Sequence, residues 1–379
     1  MARTRILPTD PGAVKVWETD VAVETRNRSE FTKMTGTEAE QQVVVRKTAL
    51  EEGPGDEVTM YLIGKIVGKP IEGEEKAEGR ERKISHFTDK MLIDKHRVPV
   101  NVGDIMSQKR VPYNIAEMAK GRMADHAAEF HDEQCLMHLS GARGVGDEIQ
   151  HYPVGYAGFP NAFITPDANH VQYFDGSKTK ATLGANDKLS TLVIDQAILK
   201  AKKQLGDVES GKAVKMQKVV PSTEIPTSGN CFVFATGPEG MYDLRREVGD
   251  AGWLTLEKAK ATAVGSKSPI FQGGDAFYNG TLIMEMERIV KFNDYGAGPT
   301  VNAMRSLFLG AHGLSVAYGV KGQKNKTRYQ ITDSTLDHGE EEVMILRMIA
   351  GYKKNRYNGQ DFGVISVDHA YTLAAGATI

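Results

Sequence analysis

The chain has 379 residues, more than one hydrophobic core normally serves, so two or three domains are expected. Hydrophobic residues make up 40% and charged residues 25%, with a mean hydropathy of −0.36, the profile of a soluble globular protein. The net charge of −2 excludes a chain-wide preference for nucleic acid or anionic membrane. Two cysteines, Cys135 and Cys231, are too few for a disulfide framework and fit a reducing compartment. The opening MARTRILPTDPG lacks the apolar core of a secretory signal, and no run approaches the roughly 18 apolar residues of a membrane span.

Residues 1 to about 50 are polar, of mixed sign, with scattered apolar residues such as Trp17, Val21, Val23, Phe31 and Met34. They read as an extended arm anchored at Phe31-Thr-Lys-Met-Thr-Gly36, or else as a disordered tail. Over 53–103, GPGDE is a turn and VTMYLIGKIV a strand rich in β-branched and aromatic residues. Residues 69–83 follow with five acids and five bases, and then DKMLIDKHRVPVNV reads as a second strand. The product is a long hairpin with a charged tip. Two strands alone are marginal in water, so the hairpin is covered either by its own domain or by another subunit.

Residues 112–141 read as one long helix. Pro112 suits its first position, and Ile115, Ala119, Met123, Ala127, Phe130 and Met137 recur at helical spacing. Ser140-Gly141 supplies the left-handed stop. The thin Ala and Met stripe suggests a strut across a sheet with one flank left for something else. Residues 146–190 are rich in Gly, Pro, Asn and Asp and read as a long surface loop. A new domain is expected from about 190. TLVIDQAILKAKKQLGD is a helix capped by Ser190 or Thr191, and CFVFA is a buried strand. Thr236-Gly-Pro-Glu239 has capping-box spacing before the helix MYDLRREV, which Gly249 ends. In FYNGTLIMEMERIVKF, Asn279-Gly280 marks a hairpin. NAMRSLFLGAHGLSVAYG reads as a small-residue helix on the sheet. The tail from Glu340 reads as two antiparallel strands joined at Asn358-Gly359.

Few residues suggest chemistry. His131, Cys135 and His138 share one face of the long helix at i, i+4 and i+7, and imidazole and thiolate are zinc ligands. No second element supplies the remaining ligands, so a polar interfacial face is the simpler reading. GDVESGKA (206–213) nearly matches a phosphate-binding loop, but Ala213 replaces the magnesium-binding hydroxyl and no strand precedes it. Gly313-Leu-Ser315-Val-Ala317 lacks the last glycine of a nucleophile elbow and sits inside an expected helix. Arg245-Arg246 suits a subunit contact better than a nucleic-acid site. The residues thus describe a non-enzymatic, assembling protein.

Several motifs, in this order and spacing, resemble a known family. They are Phe31-Thr-Lys-Met-Thr-Gly36, Gly55-Asp56-Glu-Val58-Thr59, Glu72-Gly73-Glu-Glu75, Ile93-Asp94-Lys-His96-Arg97, Gln108-Lys-Arg110 and Leu139-Ser140-Gly141-Ala-Arg143-Gly144. Tyr242-Asp243-Leu244-Arg245, Phe277-Tyr278-Asn279-Gly280 and Asp361-Phe362-Gly363-Val364 continue the series. Together they resemble the major capsid proteins of tailed bacteriophages, in the branch related to the coat protein of coliphage N-four. The resemblance covers nearly the whole chain and is weakest over 146–190.

The resemblance implies an α+β, Hong Kong 97-type capsid fold. Its parts would be an N-terminal arm (1–52), an extended hairpin or E-loop (53–103), a P-domain with the long spine helix (104–189), an A-domain (190–330) and completing C-terminal strands (331–379). The implied function is self-assembly into pentamers and hexamers of an icosahedral shell around packaged double-stranded DNA. No cofactor, metal or membrane is expected. Scaffolding, portal and decoration proteins are the further partners that the family suggests, and no fused, removable scaffold segment is expected before the arm. The location would be the virion, after assembly in the host bacterial cytoplasm. At the hairpin tip, Glu72, Glu74, Glu75, Arg80 and Arg82 are the expected inter-subunit contacts. Two alternatives remain: a nanocompartment shell of the same fold, and a metal-dependent α+β enzyme built on His131, Cys135 and His138.

Overall fold

The computed structural model describes residues 29–52, 55–64, 66, 69–111, 114–206, 212–220, 229–247, 276–298, 300–319 and 329–373. Strands dominate. In chain order they are β1 (Thr35–Gly36), β2 (Val44–Lys47), β3 (Glu57–Ile63), β4 (His86–Leu92), β5 (Asp94–Asp104), β6 (Val171–Tyr173), β7 (Phe232–Thr236), β8 (Ala276–Tyr278) and β9 (Thr281–Glu285). They continue as β10 (Val290–Tyr295), β11 (Val301–Leu309), β12 (Leu314–Tyr318), β13 (Gln330–Leu336), β14 (Glu341–Lys354), β15 (Arg356–Tyr357), β16 (Gln360–Asp361) and β17 (Val364–Ala370). Among the described residues these form a six-stranded sheet, a seven-stranded sheet and two ribbons.

The 14-residue β14 is the axis of the six-stranded sheet. β5 lines one edge of it, β12 and β13 share the other, and β2 and β1 extend the sheet in parallel beyond β12. The single strand expected over 89–102 is in fact two. β4 pairs with β3 in the hairpin, β5 pairs with β14, and only Ile93 lies between them. Gly351 of β14 permits this change of partner, because a Cβ there would collide with the Leu92 carbonyl oxygen. Gly351 therefore does not interrupt the strand.

The anchor expected at Phe31 to Gly36 is present. Phe31 and Met34 are buried in one core with Leu136. The short helix Glu30–Lys33 is held by Asp132 of the long helix, which accepts from Ser29 Oγ (2.6 Å), Glu30 N (3.0 Å) and Phe31 N (3.1 Å). Ser29 Oγ in turn accepts from Thr32 N, so the free N–H groups of the first turn are satisfied. Trp17, Val21 and Val23 lie outside the described residues.

The long helix spans Ile115–Ser140, 26 residues, or about 39 Å. Its N-cap is Asn114, whose side chain accepts from Ala116 N, so the helix begins later than Pro112. Pro112 itself lies outside the described residues. Gly141 ends it at φ 71°, its N–H donating to Met137 O. The expected free flank exists only in the first half. From Phe130 to Ser140 every residue except the half-buried Asp132 is buried, His131, Glu133, Gln134 and His138 included. The helix lies between the six-stranded sheet and residues 146–170, which supply Tyr152, Phe159 and Phe163. That segment is irregular, as expected, but it is a packing layer as well as surface. Farther on it adds β6 in parallel to β17.

The seven-stranded sheet has the order β6-β17-β11-β7-β9-β8, with β10 also on β11. The helices Thr191–Lys203 and Pro238–Arg245 pack on it through Val193, Ile194, Ala197, Met241 and Leu244. Ser190 is the N-cap position of the first, without a side-chain cap bond. The expected capping box at Thr236 is absent. Gly237 is the N-cap, Thr236 accepts from Ser306 Oγ (2.8 Å), and Glu239 accepts from Lys291 Nζ (2.6 Å). That helix ends at Arg245, and Gly249 lies outside the described residues. Asn279 (φ 45°) and Gly280 (φ 76°) form the expected β8–β9 turn.

The helix expected over 302–319 is replaced by β11 and β12. Every residue of β12, and seven of nine in β11, is buried. With both faces covered, the period of two disappears from the sequence, and small residues mimic a packed helix. Residues 310–313 carry the chain from one sheet to the other. The tail is also redistributed: Asn358 (φ 48°) and Gly359 (φ 74°) form a tight turn, but only between β15 and β16. β14 and β17 belong to different sheets.

A buried arginine joins the two halves. Arg305 of β11 makes a bidentate pair with Asp368 (2.7 and 2.8 Å) and donates to Ser140 O (2.9 Å), a carbonyl left free at the end of the long helix.

Candidate inter-subunit surface

The hairpin of β3 and β4 is in register from Glu57 opposite Leu92 to Ile63 opposite His86. Alternation gives it two faces. The inner face carries Val58, Met60 and Met91, which are buried with Leu50 and Ala317 near the base. The outer face carries Tyr61 (73% exposed) and Ile63 (65%), and Ile66 (62%) and Ile84 (56%) continue toward the tip. So the base is docked on its own subunit, as one of the two expectations had it, and the outer length is exposed in the single subunit.

The tip has no regular secondary structure over 69–85, and Glu72, Glu74, Glu75, Arg80 and Arg82 are all exposed. These charges are partly engaged with each other. Arg80 bonds Glu75, Lys69 lies 3.7 Å from Glu72, and Arg82 Nη2 donates to Lys69 O (2.8 Å). Among the described residues, Glu74 has no ion-pair partner within the chain. Exposed pairs of this kind add at most about 1 kcal/mol.

The base is pinned from two sides. Asn161 Oδ1 accepts from Leu92 N (2.9 Å) and its Nδ2 donates to Leu92 O (2.7 Å). Lys353 Nζ donates to Asp89 Oδ1 and to Lys90 O, both at 2.6 Å. Neither residue stands out in the sequence. The exposed apolar face was missed, although the run VTMYLI carried its signal, since an apolar run in a two-stranded ribbon must show apolar groups on both faces.

The metal candidates are packing residues. His131 Nδ1 lies 3.0 Å from Tyr352 Oη, and Cys135 Sγ lies 3.7 Å from His131 Nε2. His138 packs edge-on against Phe163, with ring centres 5.0 Å apart. Burial, with Lys353 and Lys354 adding repulsion, pushes the His138 imidazole down to about 3, and burial pushes the Cys135 thiol up. A neutral imidazole and a neutral thiol among aromatic rings fit a core. Among the described residues, no group of three or more His, Cys, Asp or Glu side chains is arranged to hold a metal. Most of the 206–213 segment lies outside the described residues. Ser315 is buried in β12 and donates to Asn355 Oδ1 (2.7 Å), so it is neither helical nor poised as a nucleophile. Arg245 lies 3.6 Å from Glu285, and Arg246 bonds Tyr242.

Comparison with known proteins agrees with this picture. The family model described as "Phage capsid protein" matches residues 5–373. The major capsid protein of Pseudomonas phage KPP25 is 22% identical over 376 residues, covering 93% of each chain. The solved capsid of Ralstonia phage GP4 is 35% identical, covers 100% of both chains and superposes with a TM-score of 0.78. The cyanophage Pam1 capsid shares the fold at 19% identity, with a TM-score of 0.71 over 92% of this chain and 93% of that one. The chain belongs to the phage capsid protein family and is a major capsid protein of the Hong Kong 97-type fold.

Proposed function

We propose that this chain assembles into pentamers and hexamers that close an icosahedral shell around the double-stranded DNA of a tailed bacteriophage. The observation that carries this reading is the hairpin, whose outer face leaves Tyr61, Ile63, Ile66 and Ile84 uncovered by the subunit. A neighbouring copy supplies the cover. A contact between unlike surfaces, repeated around an axis, closes into rings and fits this arrangement. The near-neutral charge of −2 supports a container that encloses DNA without binding its sequence, since strong phosphate binding needs clustered Lys and Arg.

In this reading residues 1–52 are the arm, 53–103 the E-loop, 104–189 the P-domain, 190–330 the A-domain and 331–379 the completing strands. The six-stranded sheet with the long helix supports the P-domain assignment, and the seven-stranded sheet with its two helices supports the A-domain. β12 and β17 cross between them, so the bodies are interleaved in sequence. The subunit's role is structural, without catalysis. It assembles in the host cytoplasm and meets scaffolding, portal and decoration proteins there.

The tip charges set register more than strength. Replacing Glu74→Lys and Glu75→Lys together is expected to lower the yield of shells in a sedimentation profile while the subunit stays folded by circular dichroism. Normal shells at normal yield would refute the role given to the tip.

A further inference from the structure

The segment 146–170 has no regular structure, yet it holds a residue that acts on the hairpin. Asn161 is buried at 6% exposure, and its carboxamide bonds both the N–H and the C=O of Leu92. A primary amide presents a donor and an acceptor side by side, as a peptide unit does. Asn161 therefore behaves as a one-residue strand on the free edge of β4. Leu92 is the last residue of β4, and only Ile93 separates the hairpin from the body of the sheet.

The amide is held firmly from behind. Phe159 and Phe163, two residues to either side, pack against each other at a tilt of 48°, with ring centres 4.4 Å apart. Phe163 also packs on His138 of the long helix (5.0 Å), and Phe159 on Tyr152 (4.7 Å). Opposite them, β14 closes the elbow. Gly351 lets the Leu92 carbonyl pass, and Lys353 bonds Asp89 and Lys90. Ile93 N donates to Asp56 O (2.9 Å), a further tie across the base.

We propose that Asn161 is a positioning residue for assembly: it fixes the angle at which the hairpin leaves the subunit, and so where the hairpin's apolar face meets a neighbouring copy. This rests on the reading that the hairpin docks on a neighbour. Leverage makes the angle matter. From Leu92 to His86, opposite Ile63, is about 20 Å of strand, so a rotation of roughly 10° at the elbow moves Ile63 by about 3–4 Å. That is about the reach of a van der Waals contact. The 146–170 segment thereby couples the long helix to the hairpin.

The test uses the full chain with two substitutions. Asn161→Ala removes both bonds. Asn161→Asp keeps the size; at pH 8 its carboxylate still accepts from Leu92 N but opposes the Leu92 carbonyl. Burial beside the Leu92 carbonyl raises the pKa of this carboxyl, so lowering the pH to 4.5 favours the protonated form, which regains a donor as well as an acceptor. Hydrogen exchange of β3 and β4, corrected for intrinsic rate, reads the clamp. Sedimentation and electron microscopy of expressed shells read assembly. Both variants are expected to lose hairpin protection about tenfold at pH 8, with β7 unchanged, and to give at least about fivefold fewer normal shells. Asn161→Asp alone recovers hairpin protection at pH 4.5. Unchanged protection in both variants overturns the clamp, as does equal loss for Asn161→Asp at pH 8 and at an acid pH where titration of its carboxyl shows it protonated. Lost protection with shells of normal yield and size overturns the assembly role but leaves the hairpin contact standing, which Ile63→Thr tests separately.

Discussion

The outer face of the hairpin is where assembly is most directly exposed to perturbation, and Ile63→Thr isolates it. Threonine keeps the β-branch that suits a strand and removes apolar surface. Ile63 is 65% exposed in the subunit, so most of its area remains to be covered by a partner. Full burial of an isoleucine side chain is worth about 1.5–3 kcal/mol, which leaves about 1–2 kcal/mol for docking. At one such contact per subunit, the concentration needed for assembly rises about tenfold. The subunit's own stability is expected to change by no more than about 0.5 kcal/mol, because the residue is uncovered there. Sedimentation across a concentration series, with thermal melting of the unassembled subunit, separates the two effects. Assembly at the wild-type concentration would refute the docking role, and a large loss of melting temperature would refute the exposure argument.

Three further outcomes follow from buried charge. Burial pushes the Asp132 carboxyl up from 3.8 to about 6, outweighing the bonds from Ser29, Glu30 and Phe31. The folded state then holds this proton more tightly than the unfolded one, so stability falls as pH rises through 6. Asp132→Asn cannot ionise, and its melting temperature relative to wild type is expected to rise between pH 4 and pH 7; a flat difference would contradict this. His138 has the opposite sign, since burial lowers it from 6.5 to about 3 and the folded state resists protonation. Wild type should lose about 1.4 kcal/mol per pH unit below 6.5, and His138→Phe should abolish that share of acid sensitivity in urea titrations at pH 6.5 and 4.5. Arg305→Met strands Asp368 in the core and is expected to cost about 3–5 kcal/mol by urea denaturation.

How much of this was legible from the residues varied with burial. The arm anchor at Phe31 and Met34, the long helix and its Gly141 stop, and the turns at Asn279-Gly280 and Asn358-Gly359 each rest on local chemistry and were visible. β11 and β12 were not, because strands covered on both faces lose the alternation that identifies them. The break at Ile93 was hidden for another reason: β4 and β5 form one apolar-polar run, and only Gly351, some 260 residues away in sequence, reveals the change of partner. At the hairpin, charge drew attention to the tip, whereas Tyr61 and Ile63 carry the uncovered apolar surface. Asn161 had no signal at all. A single Asn in an irregular segment gains its role only from the aromatic rings that hold it and the strand edge it meets.

Cryo-electron microscopy of shells formed by the chain is the most direct test of the hairpin as the link between subunits. The expected result is a closed icosahedral shell of pentamers and hexamers, with Tyr61 and Ile63 covered by the adjacent subunit and Asn161 still bonded to Leu92. Shells in which that face stays in solvent, or in which the hairpin folds back on its own subunit, would contradict it.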